Sequence, residues 1–542
     1  MTRACLMGLM LLLIGCGNTT AVDGDGGIDD AGTMPDADLC DTVECECNTD
    51  DDCGLHEVCE SSPDLGRVCA CAPAYQNLGG GCQFAGAPLA PGFDDAGPWA
   101  TSGGAVLDPG AAGSDDPGEA RWSGDAICDS SRVSQTFAMP PLERAEPLAF
   151  AITYRGQNTV FEARPQVGIN GYWARFPRRD AFFTQVSCLG EAGFGGEVRL
   201  WIDGNSSFCP SSDSLDQRIV DRFEIVRAEE AGLDCPMPGV VVDGDFEGEG
   251  TSWTPLGDAS VQDGAGQGGS RAARLRTETL CSTAAMTGTL SLPLPSTMPS
   301  QAVRFYWSGT AGRSLQVLVA DAFVAELTAS GEGTVSSACL PPHTRGLARS
   351  ITFSIPVTSG MCGDPDVRDF VVDSVEIVSE AKCGNDPFIL DGDFELGVNG
   401  ESSWRLSGGG PRGTIGVVTG IAQSGNAALR FTAQEQCAFL SARATMVVPE
   451  PDENGGPALK YFYRAGDNPE TSLESRPGNG PLSEGAAAFV EETVCLAPAL
   501  ATKPQELVFT MQRSGPCGVA FPEEQAFVDH VRLTTDAACP TE

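Results

Sequence analysis

Asp243-Gly244-Asp245-Phe246-Glu247, followed by Trp253, opens a segment that returns as Asp391-Gly392-Asp393-Phe394-Glu395 followed by Trp404. A more divergent version, Pro91-Gly92-Phe93-Asp94, precedes Trp99. Each opening has a matching close: Val220-Asp221-Arg222-Phe223-Glu224-Ile225-Val226, Val372-Asp373-Ser374-Val375-Glu376-Ile377-Val378, and Val528-Asp529-His530-Val531-Arg532-Leu533. The closes alternate apolar and polar residues, as a half-buried strand does. Three units with a period near 150 residues follow.

Between these markers lie short runs such as Leu148-Ala149-Phe150-Ala151-Ile152-Thr153-Tyr154, Ala302-Val303-Arg304-Phe305-Tyr306-Trp307 and Leu459-Lys460-Tyr461-Phe462-Tyr463, separated by Gly, Pro, Asp and Ser clusters. Long amphipathic helical patterns are missing. The expected fold is therefore mainly β: three tandem antiparallel sandwiches, or jelly rolls, over residues 88–236, 237–384 and 385–542.

Cysteines keep the same rhythm. Cys128, Cys188, Cys209 and Cys235 fall in the first unit, Cys281, Cys339, Cys362 and Cys383 in the second, Cys437, Cys495, Cys517 and Cys539 in the third. Four per unit imply two disulfides each. Three pairings are open, and second-with-third is the preferred one because those two flank a short stretch between strands.

Residues 39–84 carry eight further cysteines, Cys40, Cys45, Cys47, Cys53, Cys59, Cys69, Cys71 and Cys82. So short a segment has no sufficient apolar core, so crosslinks must hold it. Cys69-Ala70-Cys71-Ala72-Pro73-Ala74-Tyr75 leading to Gly81-Cys82 resembles the second half of an EGF-like module. Ala74 stands where that family usually has Gly, and the cysteines number eight rather than six.

At the N-terminus, Arg3 precedes a nine-residue apolar run, Leu6 to Ile14, too short to span a bilayer, which needs about 20 residues. It ends Leu13-Ile14-Gly15-Cys16, which resembles the lipobox of bacterial lipoproteins. The resemblance implies a signal peptide over 1–15, a lipidated Cys16 as the membrane anchor, and export; Gly17 in place of Asp points to the outer membrane or cell surface. The competing reading is an ordinary secretory signal. Residues 16–38 are acidic, nearly devoid of large apolar side chains, and read as a flexible tether.

The formal net charge is −41, from 74 acidic and 33 basic residues among 542. Such a surface repels phosphate backbones, which excludes nucleic-acid partners. Three histidines, His56, His343 and His530, provide no Ser-His-Asp set and no zinc-protease helix, so no enzyme is expected.

The acidic opening, the run Ser424 to Phe431 and the closing strand together resemble the galactose-binding-like jelly rolls of carbohydrate-binding modules. That resemblance implies a polysaccharide or glycoconjugate as partner, with a structural or adhesive protein as the alternative. It also implies a structural calcium, with Glu247 paired to Asp373, Glu395 to Asp529 and Asp94 to Asp221, because carboxylates from both chain ends would staple a sandwich shut. Sugar binding calls for aromatic faces. Tyr154, Trp307 and Tyr463, at near-equivalent places, are candidates, as are Tyr172, Trp173 and Trp201 in the first unit. Trp253 and Trp404 are expected in the core.

Overall fold

The computed structural model describes Cys47 and residues 49–541 apart from short stretches, the longest being 124–130, 158–165 and 204–216. Cys16, the tether, Cys40, Cys45, Cys128 and Cys209 lie outside the described residues.

The cysteine-rich segment forms two small hairpins, Glu57–Ser62 with Gly66–Cys71 and Tyr75–Asn77 with Cys82–Phe84. Its crosslinks among the described residues are Cys47–Cys59, Cys53–Cys69 and Cys71–Cys82. Tyr75 is its anchor: the ring stacks on His56 at 4.6 Å, and the hydroxyl accepts a bond from the Glu146 N–H of the first sandwich. Burial pushes the Tyr75 hydroxyl up to about 12.

Each of the three units is a pair of five-stranded antiparallel sheets. In the second, one sheet runs Thr254–Gly257, Ala284–Ser291, Ala348–Ser354, Ser314–Val319, Ala322–Thr328. The other runs Ala259–Gln262, Ala272–Thr279, Pro365–Ser379, Gln301–Gly309, Thr334–Cys339. The first and third units repeat this order strand for strand. Among the described residues the only helical elements are single 3-10 turns.

The two inner faces interdigitate, as period-two patterning requires. Along Ser314–Val319, Leu315, Val317 and Val319 are buried while their neighbours are half-exposed. The opening aromatics lock each core: Phe246 packs on Trp253 at 4.7 Å and Phe394 on Trp404 at 5.1 Å, with both tryptophan N–H groups donating to carbonyls of the opening Asp residues.

Register decides the crosslinks. Thr279 pairs with Pro365, which sets Cys281 beside Cys362, and Glu435 pairs with Ala520, which sets Cys437 beside Cys517. The second cysteine instead joins the fourth, as Cys188–Cys235, Cys339–Cys383 and Cys495–Cys539. This corrects the preferred second-with-third pairing. Cys339 ends a strand whose neighbour's partner is the closing strand, so the chain leaving that closing strand turns back onto it.

The three sandwiches are joined around one hairpin of the first, Gln166–Ile169 with Tyr172–Arg175. Leu294 and Leu347 of the second sandwich pack into the first sandwich's core. Glu191 accepts bonds from the Leu294 N–H and the Thr297 hydroxyl, and Arg349 Nη2 donates to the Trp173 carbonyl at 2.8 Å. The third sandwich contributes Thr502, which bonds the Trp173 indole N–H, and Lys503, which pairs with Asp203 at 2.6 Å.

Candidate functional site

Tyr154, Trp307 and Tyr463 point inward. Their exposures are 1%, 3% and 7%, and each belongs to its own sandwich core. A ring with both faces covered offers no platform, which corrects their assignment as sugar contacts. The period of two places the preceding residue outside: Tyr306 and Phe462 are half-exposed at the positions next to Trp307 and Tyr463.

The paired carboxylates do converge, although on a loop. A β-bulge in each closing strand, with Ser374 at φ 54° and His530 at φ 49°, turns Asp373 and Asp529 sideways. Asp373 Oδ2 accepts from Gln267 N–H and the Ser270 hydroxyl, while Glu247 accepts from Arg271 N–H. Asp529 Oδ2 accepts from Gln423 and Ser424 N–H, while Glu395 accepts from Asn426 and Ala427 N–H.

These residues do not fit a calcium shell as arranged. Calcium takes six to eight oxygens, and apart from the Ser270 hydroxyl the loop groups bonded to these carboxylates are backbone N–H donors. Arg271 Nη1 also occupies the Gly248 carbonyl beside Glu247. The carboxylates act as latches that hold each loop over the sandwich end. In the first unit, Asp94 is exposed and Asp221 is buried on the bulge, and residues 113–116 lie outside the described residues.

A cleft of about 660 Å³ opens where the three sandwiches meet. The first sandwich supplies its wall through Asn170-Gly171, both at positive φ (49° and 87°), a two-residue turn of the type that tight hairpins favour. Asn170 is tied on both sides, its amide donating to the Ala192 carbonyl and its oxygen accepting from Arg199 N–H. The turn sets Tyr172, half-buried, against the cleft.

Trp173 and Trp201 stack beside it at 6.0 Å but are 3% and 9% exposed. Arg132 lies over both rings and Arg199 over Trp201, so their role is to carry the joint between sandwiches. Asp203, 1% exposed, answers Lys503 and Arg132 together.

The second sandwich adds Pro342, His343 and Arg345, and the third adds Val448, Glu450, Asp452 and Thr502. Burial holds the Arg345 guanidinium below its usual range. His343, Arg345, Thr502 and Lys503 carry no signal in the linear pattern; the Asn170-Gly171 dipeptide does, as a hairpin turn.

No family model matches the chain, and no curated protein matches it either. Among solved structures, it is similar to a tandem of two family 22 carbohydrate-binding modules from Paenibacillus barcinonensis (14% identity, TM-score 0.19), covering 56% of this chain and 99% of that one. A family 61 module solved with β-1,4-galactotriose matches at 18% identity and TM-score 0.21, over 26% of this chain and 99% of that one. A triple jelly-roll protein of an archaeal virus turret matches at 8% identity and TM-score 0.19, over 75% and 83%. At these scores the matches do not speak to what the chain binds.

Proposed function

We propose that this chain is an exported, lipid-anchored, non-catalytic protein that binds carbohydrate in the cleft at its three-sandwich junction. The observation that carries the reading is Tyr172, fixed by a rigid Asn170-Gly171 turn at the wall of a cleft of about 660 Å³. Ligand sites of this kind run roughly 300–1,000 Å³, mostly apolar with a few placed polar groups. Tyr172, Phe388 and Val447, all half-buried, give apolar faces for the C–H side of a pyranose; Asn170, His343 and Glu450 give polar edges.

Export and anchoring rest on the Leu13-Ile14-Gly15-Cys16 sequence and on eight disulfides among the described residues, which belong to an oxidising compartment. Among the described residues no helix is long and apolar enough to cross a membrane. The absence of catalysis rests on the scatter of the histidines: His56 stacks on Tyr75, His343 lines the cleft, and His530 sits on a closing strand.

Affinity electrophoresis of the whole chain in gels containing a panel of plant and bacterial polysaccharides tests the reading. Retardation by at least one polysaccharide, lost in Tyr172→Ala, is expected. Free migration in every gel would overturn it and favour the second reading, an adhesive or structural protein. The burial of Tyr154, Trp307 and Tyr463 is the observation that favours that second reading.

A further inference from the structure

Two arginines of the second sandwich stand at the junction, four residues apart, and they are treated differently. Arg349 is well partnered: its Nε donates to the Thr344 carbonyl, and its Nη2 donates to the carbonyls of Trp173 and His343. It is a structural clip between the first and second sandwiches.

Arg345 is only 1% exposed and lines the cleft, yet its donors are largely unspent. Its Nε has no hydrogen-bond partner, and Nη2 reaches only the Leu340 carbonyl at 3.4 Å. No carboxylate lies within ion-pair distance of it among the described residues. Asp386 and the Tyr172 hydroxyl act on it only at longer range.

A buried guanidinium without an anion is expensive, since removing a charge from water is repaid only by good partners. Its planar fork of five donors matches a carboxylate better than it matches isolated hydroxyls. The surroundings agree: in a chain of net charge −41, Arg132, Arg199 and Lys503 cluster behind the same wall with Asp203 between them. The acidic residues of the cleft, Glu450 and Asp452, belong to the third sandwich and are exposed, and Asp452 is held by the Asn454 N–H and side-chain amide.

From the unspent donors of Arg345 beside the Tyr172 ring, we infer that the cleft selects a carboxylate-bearing sugar, a uronic acid unit within an oligosaccharide. The ring of Tyr172 takes the sugar's apolar face, and Arg345 takes its carboxylate. This inference rests on the carbohydrate reading above. Screening limits the repulsion from the rest of the acidic surface to about 10 Å at ordinary salt.

The test is calorimetric titration of the whole chain with short galacturonate oligomers and with the same oligomers as methyl esters, which keep the ring and lose the charge. The acid should bind at least tenfold more tightly than the ester, and more weakly as salt rises. Arg345→Gln should bring the two within about twofold, chiefly by weakening the acid, with an unaltered circular dichroism spectrum. Arg345→Lys, which retains charge and loses the fork, should fall between. Equal binding of acid and ester, or a preference untouched in Arg345→Gln, would overturn the inference while leaving carbohydrate binding in place. Binding of neither oligomer, alongside retention in gels of a neutral polysaccharide, would overturn it equally. Failure of every glycan in both assays would remove the carbohydrate reading itself.

Discussion

Lys503 of the third sandwich reaches Asp203 of the first at 2.6 Å, and the two side chains are 3% and 1% exposed. Residues 300 positions apart in the chain thus share a desolvated ion pair, with Arg132 as a second cation on the same carboxylate. The Trp173 indole lies within 5.9 Å of the Lys503 ammonium and bonds Thr502 next to it. The junction beside the cleft is therefore a packed interior that ties the first sandwich to the third.

Lys503→Met takes the buried ammonium away from the buried Asp203 and keeps Arg132. Breaking a buried pair costs about 3–5 kcal/mol when nothing else answers the charge; with Arg132 remaining, roughly 2–3 kcal/mol is expected. Scanning calorimetry should show the third sandwich melting earlier and apart from the first. Pairing Lys503→Met with Asp203→Leu should recover part of the loss, because the buried carboxylate is gone and the cation left behind, Arg132, is 21% exposed and lies over the Trp173 and Trp201 rings.

Non-reducing peptide mapping should recover Cys339 linked to Cys383 and Cys281 linked to Cys362. Replacing Cys339 and Cys383 together by Ser opens a crosslink spanning 44 residues and should lower stability by roughly 2–4 kcal/mol. A Cys339–Cys362 peptide would contradict the register described above.

Chelation distinguishes latch from metal site. With N–H donors already on Asp373 and Asp529, EDTA should leave the melting temperature unchanged. Asp529→Ala should lower stability by about 1–3 kcal/mol, as it leaves the Gln423 and Ser424 N–H groups unmatched. A rise of several degrees on adding calcium would show that the loops reorganise around an ion.

The repeat made the architecture readable from sequence alone. Opening and closing motifs bracket each sandwich, and Trp253 and Trp404 sit in the core as their positions suggest. What failed was facing. A strand's side chains alternate, so a one-residue error in judging the inner set moves an aromatic from surface to core, and Tyr154, Trp307 and Tyr463 fell on the wrong side. Disulfide pairing failed for a related reason, since it depends on register between strands far apart in sequence. Arg345 and Lys503 had no local pattern because their partners come from other sandwiches.

Asp391 supplies the pH dependence. Burial lifts its carboxyl from 3.8 to about 7, although Leu396 N–H and the Ser402 hydroxyl donate to it. The native state therefore keeps a proton that the unfolded chain releases near pH 4. This contribution is whole below about pH 4 and is lost as pH rises toward 7, by roughly 2–4 kcal/mol. Asp391→Asn should remove that slope, so that the difference in melting temperature between variant and parent grows between pH 4 and 7 in the variant's favour.

The most direct measurement is hydrogen exchange on the whole chain, with and without a glycan that retards it. Binding in the junction predicts protection at once in residues 170–173, 342–346 and 447–450, one segment from each sandwich. Protection confined to the open face of a single sandwich would contradict the account.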